Sequence, residues 1–315
     1  MTKDMTQGSP LKLILAFAVP LMLGSLFQQF YNLADTIIVG RFVGVEALAA
    51  VGSVGGLNYL VLGFVNGIAC GFSIPISWTF GAKDYKEMRR YTANTVWLSI
   101  AFATVLTIVT VAMTRLVLVW TNTPADIIDL ADIYIRTIFA GIPFTLLYNV
   151  TSALMRALGD SKRPLYFLLV ASVLNIGLDY PLIVSMGMGV DGAAIATVLS
   201  QLLSGGLCAF WFFTRTAKQE ELTFRGQSSL LSAGHCKRLA YIGFPMGFEY
   251  SVSAIGAVIM QDAINLLGST AVAAQTAGEK IRQMFTLPME SVGMAMATYV
   301  AVSYTHLRAH ETKAN

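Results

Sequence analysis

Uninterrupted apolar stretches of about twenty residues recur along this chain, and that recurrence limits the fold more than any other feature. A bilayer core about 30 Å thick is crossed by about 20 mostly apolar helical residues. The chain has 315 residues, 55% of them hydrophobic and 12% charged. That is more apolar side chain than a soluble core of this size absorbs. Lipid offers backbone groups no water, so only helices and closed barrels cross it. The runs here are far longer than the roughly ten alternating residues of a barrel strand. The expected fold is therefore all-α, a polytopic transmembrane helical bundle.

Windows between charged, Pro and Gly punctuation give eight spans, at 11–35, 50–78, 92–114, 131–156, 164–186, 191–214, 239–266 and 281–303. The polar N-terminus leads into the first span without a small-residue cleavage pattern, so this span is expected to be a retained transmembrane helix. Placing the N-terminus in the cytoplasm leaves Arg41, Arg115, Arg136, Lys280 and Arg282 outside. It puts Lys3, Lys12, Lys83, Lys86, Arg89, Arg90, Arg156, Lys162, Arg163, Arg215, Lys218, Arg225, Lys237 and Arg238 inside. Basic loops stay on the cytoplasmic side, which makes this a multi-pass protein of the cell membrane with a cytoplasmic N-terminus. Basic residues confined to short loops signal topology and not a nucleic-acid surface.

Spans seven and eight read like spans one and two. Leu15-Ala16 followed by Pro20 recurs as Leu239-Ala240 followed by Pro245, and Gly44 to Ala50 recurs as Gly268 to Ala274. Six helices separate the copies, so both enter the membrane in the same direction, as in parallel-repeat transporters. The expected organisation is a first six-helix lobe over 1–213, a cytoplasmic linker over 214–238, and the first two helices of a second lobe over 239–303. The polar segment 304–315 ends the eighth span abruptly and is expected to be a non-native tail. On this reading four helices of the second lobe are missing from the chain.

Four spans carry polar residues on one helical face: Gln28, Asn32 and Asp35; Thr145, Asn149 and Ser152; Ser172, Asn175 and Asp179; and Thr197, Gln201 and Ser204. In lipid such stripes face inward, and Ser, Thr and Asn commonly join helices there. Carboxylates are a different matter, because a charge at membrane depth costs at least about 2.5 kcal/mol and marks a functional site. Asp35, near an outer helix end, and the deeper Asp179 are the candidates. Facing one cavity they favour a shared proton or a bound cation. Pro20 removes a backbone hydrogen bond from the helix that bears Asp35 and is a candidate kink. Gly63, Gly67 and Gly71, four residues apart, predict close packing against another helix. Cys70, Cys208 and Cys236 show neither paired nor metal-like spacing, so neither a disulfide nor a metal site is expected.

Ala34-Asp35-Thr36-Ile37-Ile38-Val39-Gly40, Phe80-Gly81-Ala82-Lys83-Asp84, Arg156-Ala157-Leu158-Gly159-Asp160 and Gly192-Ala193-Ala194-Ile195-Ala196-Thr197 resemble hallmarks of the multidrug and toxic-compound extrusion (MATE) family. The similarity covers about residues 10 to 303. It implies two six-helix lobes and an antiporter that exports cationic or amphipathic small molecules by alternating access, driven by H⁺ or Na⁺. By the same resemblance the first-lobe ion site maps onto Asp35, Asn149, Asn175, Asp179 and Thr197. Gln28, Tyr31, Glu249 and Glu290 are candidates for substrate or second-lobe roles, and Asp262 is a further second-lobe carboxylate. Glu290 occupies the position that Asn66 holds in the first copy. Trp78 stands three residues before Gly81, where the family often has Gln.

No organic cofactor is expected, only the coupling ion, and the partners are small organic cations or drugs and the lipid bilayer, with no obligate protein partner. The alternative, a lipid-linked glycan flippase of the same superfamily, calls for a strongly basic cavity. The first-lobe interior is acidic or neutral, with Arg156 at a helix end. An intramembrane enzyme fits poorly, since His235, His306 and His310 all lie outside the spans and no nucleophile elbow or zincin motif occurs.

The orientation is open to a direct test in a background without the native cysteines. Cysteine introduced at Ser161 or Ser228 is expected to be shielded from an impermeant thiol reagent in intact cells, and one at Asn122 to be labelled. The reverse labelling overturns the assignment.

Overall fold

The structure, a computed structural model, describes residues 9–121, 123, 127–216, 231–265, 282 and 285–300, with backbone alone at 31–33, 36, 45, 215–216, 253 and 257–265. All regular structure among these residues is helical. In chain order the helices are α1 (Pro10–Phe42), α2 (Val45–Ser53), α3 (Gly55–Gly81), α4 (Tyr85–Trp120), α5 (Ile128–Ala140), α6 (Ile142–Ala157), α7 (Lys162–Asp179), α8 (Gly189–Trp211) and α9 (Ala233–Asn265). A further helical stretch covers 285–300. Short π-helical segments extend α7 over Tyr180–Ser185 and α8 over Phe212–Thr216. Five helices are long and apolar enough to cross a bilayer, and the bent pair α5 and α6 makes a sixth span. The molecule is a polytopic helical membrane protein.

The sequence-based spans fall on these helices, with three differences. The first span continues past residue 35 to Phe42, so Asp35 lies two turns inside α1 and not at its end. The second span loses its start to the separate helix α2, and α3 begins only at Gly55. The fourth span is broken: α5 and α6 meet at 44°. The cause is local. Pro143 has no N–H to close the ladder onto Phe139, and Gly141 leaves the space into which the Val198 side chain of α8 packs. In contrast α1 runs unbroken through Pro20, and Trp78 leaves the last turn of α3 intact, its carbonyl accepting the Ala82 N–H at 2.9 Å.

Two motif turns are held by their own residues. After α3, Lys83 takes a positive φ of 58°, and Asp84 caps α4 by accepting the Glu87 N–H at 3.1 Å. After α6, Gly159 supplies a φ of 83°. The Asp160 carboxylate then accepts from the Arg163 backbone N–H and pairs with its guanidinium.

The core lies among α3, α4, α5, α6 and α8, around Ile68, Phe72, Ile135, Ile142, Leu146 and Leu154. Large apolar side chains such as Ile108, Val173 and Phe210 face outward, where lipid is the apolar solvent. At 36 residues α4 is about 54 Å long and outreaches the bilayer core. Its first turns hold the segment that leads into α9. The Ser232 N–H donates to Asn94 Oδ1 at 2.7 Å, and His235 Nε2 meets Glu87 Oε2 at 2.9 Å with its ring edge-on to Tyr91.

Among the described residues the contact of α3 with α9 is the most extensive helix pair. A Cβ added at Gly67 would stand 2.5 Å from the Met246 carbonyl oxygen, and one at Gly71 would stand 2.6 Å from Gly243 Cα. The two backbones therefore touch, as the four-residue glycine spacing predicts. Phe64 covers the crossing and stacks near Phe244 and Phe248. On the other side, Ile14, Phe17 and Ala18 of α1 pack on Ala295 of the 285–300 helix. The second halves of the proposed repeat, residues 268–274, lie outside the described residues.

The crossing separates two glycines chemically alike. Gly63→Ala is expected to be nearly neutral, because its Cβ meets Tyr250 Cβ at an ordinary 3.8 Å. Gly67→Ala drives a methyl into backbone and is expected to cost about 1–3 kcal/mol, read as a lowered melting temperature in detergent. Equal melting of the two variants refutes this packing.

Candidate functional site

Three helices bring the intramembrane carboxylates together. α1 carries Asp35, α7 ends on Asp179, and α8 carries Thr197, which lies 162 positions from Asp35 in sequence. The Thr197 hydroxyl donates to Asp35 Oδ2 at 3.3 Å. Asp179 is completely buried, at 0% exposure. Its two oxygens and Asp35 Oδ1 are sealed from solvent and lack any hydrogen-bond partner. The carboxyl groups nevertheless lie close enough to act on each other directly.

The local folding explains why Asp179 reaches this place. The α-helix ends at Asp179, and Pro181 in the next turn cannot donate to the ladder, so the chain continues as a wide π turn through Ser185. Gly192 of α8 presses against that turn: a Cβ there would meet the Leu182 carbonyl carbon at 3.0 Å and the Ile183 nitrogen at 3.2 Å. Only a residue without a side chain lets α8 come that close, and five residues later α8 presents Thr197. Asp191 accepts from the Thr137 hydroxyl at 2.8 Å and so pins the start of α8 to α5. The motif Gly192 to Thr197 thus combines a close approach with a hydroxyl ligand.

Asn175 lies one turn before Asp179 on the same face, 1% exposed, with neither amide atom hydrogen-bonded. Asn149 is half-buried on α6, which packs on α8, and no hydrogen bond ties it to either carboxylate. Gln28 is exposed, and the side chain of Tyr31 lies outside the described residues, as do those of Asn32 and Asp262. Glu249 on α9 and Glu290 on the 285–300 helix are exposed and far from the Asp35 site in sequence and element, and both lie within electrostatic reach of the Tyr250 hydroxyl. The sequence reading placed Gln201 in a stripe without a role and passed over Ser200. Both carry buried oxygens without partners, one turn along α8 from Thr197. The signal for Gln201 was its spacing of four from Thr197.

Chemically the site is a cluster of oxygen-bearing side chains. Two carboxylates, a threonine hydroxyl and amide oxygens are hard ligands that suit H⁺ or a small hard cation and not a soft transition metal. Among the described residues no cluster of three His, Cys, Asp or Glu side chains is arranged to hold a metal ion.

Known proteins resemble this chain in sequence and in fold. The MatE family profile matches residues 20–181, a stretch that contains Asp35, Asn149, Asn175 and Asp179. A probable multidrug resistance protein of Bacillus subtilis, YoeA, is 30% identical over 294 residues, covering 91% of this chain and 63% of its own. The probable multidrug resistance protein NorM of Thermotoga maritima is 27% identical over 293 residues, covering 92% and 62%. The chain thus spans slightly under two thirds of the length of these curated relatives. Among solved structures, the outward-facing conformation of a multidrug resistance MATE family transporter of the MOP superfamily superposes with a TM-score of 0.87 at 26% identity, over 98% of this chain and 68% of that one. A MOP superfamily transporter from Pyrococcus furiosus gives 0.88 at 26%, with the same coverage. With half of its length matched by the family profile and its helices laid out as in those solved structures, the chain belongs to the MatE family of membrane transporters, which are not enzymes.

Proposed function

We propose that this chain carries the ion-coupling bundle of an antiporter that exports cationic or amphipathic small molecules by alternating access, with H⁺ or Na⁺ as the driving ion. The observation that carries this reading is the neighbouring pair Asp35, half-buried, and Asp179, fully buried, with Asp35 Oδ1 and both Asp179 oxygens sealed from solvent and without a hydrogen-bond partner among the described residues. A buried carboxylate pair is stable only when it shares a proton or holds a cation. Loading and unloading therefore change the energy of the bundle, and that difference is what shifts an inward–outward equilibrium. Thr197 and Asn175 complete the proposed ligand set, and Asn149 lines its approach on α6. Pro20 gives α1 a point at which to bend between states. The relatives named as multidrug resistance and multidrug export proteins support drug-like substrates.

The lobe assignment, with its linker over 214–238, is part of the same proposal. α1 and α9 are both 33-residue helices with an internal proline. α3 packs on α9, and α1 packs on the 285–300 helix. Under a two-fold exchange of spans one and two with seven and eight, each of these contacts becomes the other. Glu249 and Glu290, both exposed and near Tyr250, are on this reading second-lobe candidates for substrate contacts. An imposed ion gradient is expected to drive no dye efflux through this chain alone, since alternating access closes two complete lobes around one site. Robust efflux from vesicles holding only these 315 residues defeats the lobe assignment.

The site itself is tested in a chain completed to the length of its relatives. Asn is nearly isosteric with Asp and cannot change charge, so Asp179→Asn and Asp35→Asn are expected to insert and fold normally, because removing a buried charge relieves desolvation. Ion-driven efflux is expected to be abolished in Asp179→Asn and strongly impaired in Asp35→Asn, with substrate binding retained. Two well-expressed variants that extrude dye at the parental rate remove the ion site from this bundle.

A further inference from the structure

Where the chain re-enters the bundle at α9, four polar side chains fix its landing. Asn94 of α4 is fully buried, at 0% exposure. Its amide nitrogen donates to the Arg90 carbonyl at 2.8 Å, and its Oδ1 accepts the Ser232 N–H at 2.7 Å and the Cys236 thiol at 3.4 Å. Ser232 immediately precedes α9, and its carbonyl accepts the Cys236 N–H at 3.0 Å to open that helix. The Ser232 hydroxyl meets His235 Nδ1 at 2.8 Å, and His235 Nε2 meets Glu87 Oε2 at 2.9 Å. A carboxylate only accepts, so the network assigns a ring hydrogen to Nε2. The other Glu87 oxygen holds Arg90 at 2.9 Å, and the His235 ring stands edge-on to Tyr91 with centroids 4.8 Å apart.

Two features separate this cluster from an ordinary helix cap. A helix start is commonly satisfied by the residues just before it. Here the partners on α4 are 138 and 148 positions away in sequence, so the first turn of α9 is completed only when it is docked. The second feature is the place. Four residues beyond His235, Leu239 is fully buried in the main core, and beyond it Gly243 and Gly247 lie against α3. Phe102 of α4 meets Phe244 with ring centroids 6.2 Å apart. Such apolar and backbone contacts weaken gradually as helices separate, whereas directional hydrogen bonds at one end of the seam are either made or lost. The same end of the two helices carries Lys86, Arg89 and Arg90 on α4 and Lys237 and Arg238 on α9. Like charges favour separation, and Glu87 is the counter-charge that joins the two helices through His235.

We propose that Glu87, Asn94, Ser232 and His235 form a latch between the two lobes, at the end of the bundle where α3 turns into α4. Made, it holds that end shut; broken, it lets α9 swing away from α4 and opens that end. The inference rests on the two-lobe reading above and adds the contact that must part in each cycle. A role confined to capping α9 makes a different prediction: its loss frays the first turn and leaves the helices together further along the seam.

The test uses this chain in proteoliposomes, with Cys70, Cys208 and Cys236 replaced by alanine and nitroxides attached at Ile100→Cys on α4 and Tyr241→Cys on α9. Both side chains are exposed, and they lie beyond Asn94 and His235 along their helices, out of reach of fraying at Ser232. Double electron–electron resonance on the parent is expected to give one dominant short distance. His235→Phe keeps a ring against Tyr91 and removes both nitrogens, and Glu87→Leu removes the acceptor. In each, a longer distance is expected, its population raised about tenfold over the parent, the weight of one hydrogen bond to a charged group. The double variant is expected to go little further than either single one, since both remove the same bond. A control pair within the first lobe, Ile100→Cys with Ile133→Cys on α5, is expected to keep its distance throughout. Parental distances in both variants, full additivity in the double variant, or an equal loosening of the control pair overturns the latch. The readout needs neither ion nor substrate, so a chain that fails the ion-site test still reports on it. Should either variant not run as a single species on size exclusion, Glu87→Gln, nearly isosteric and uncharged, is read in its place against the same outcomes.

Discussion

Lipid cannot hydrogen-bond, and the organisation of this protein follows from that. Backbone groups close their bonds within helices, so the chain has little choice of secondary structure. Side chains are sorted by the same rule. Ile108, Val173 and Phe210 face outward, while the hydroxyls, amides and carboxylates are drawn inward. Several hydroxyls settle their bonding on their own helix, as Thr92 and Thr114 do on carbonyls four residues earlier. Among the described residues the groups that do not settle include Asp35, Asn175, Asp179, Ser200 and Gln201, alongside Asn58 on α3 and Thr95, Ser99 and Thr107 on α4. In a medium without water an unsatisfied polar group is costly, and a cluster of them is retained where something else is meant to satisfy it.

The helices can come together because the sequence omits side chains where backbones must touch. In water, burial of apolar surface would drive the association of α3 with α9. In lipid the tails are as apolar as leucine, so contact area and close approach replace it. Gly67 and Gly71 meet Gly243 and Gly247 nearly backbone to backbone, and Gly192 does the same for α8 against the π turn after Asp179. These glycines do not give flexibility. They fix distances, and the distance between Thr197 and Asp35 is one of those they fix.

Helix interruptions are placed just as specifically. Pro143 with Gly141 breaks the fourth span, and Pro181 ends the α-helix at Asp179. Pro20 and Pro75 are accommodated inside helices that continue through them. The difference is in the neighbours: at Gly141 the Val198 side chain occupies the space that a continuous helix would fill, and at Pro181 the backbone of α8 lies against the widened turn.

The all-helical fold with its long apolar spans, and the polar helix faces that carry Asp35 and Asp179, were legible in the sequence because each depends only on composition and helical period. Lipid fixes the length of an apolar run, and 3.6 residues per turn place Asn175 under Asp179 and Gln201 under Thr197 whatever the neighbours do. The extension of α1 to Phe42, the separation of α2 and the break at Gly141 were not legible, since each depends on a neighbouring helix. The same holds for the site. The sequence supplied the carboxylates and the hydroxyl on three separate helices, and it marked Arg156 only as a helix end. Which helix faces which is decided by packing between residues far apart in the chain. Only the tertiary structure could therefore set Thr197 against Asp35 and leave the Asp179 oxygens without partners.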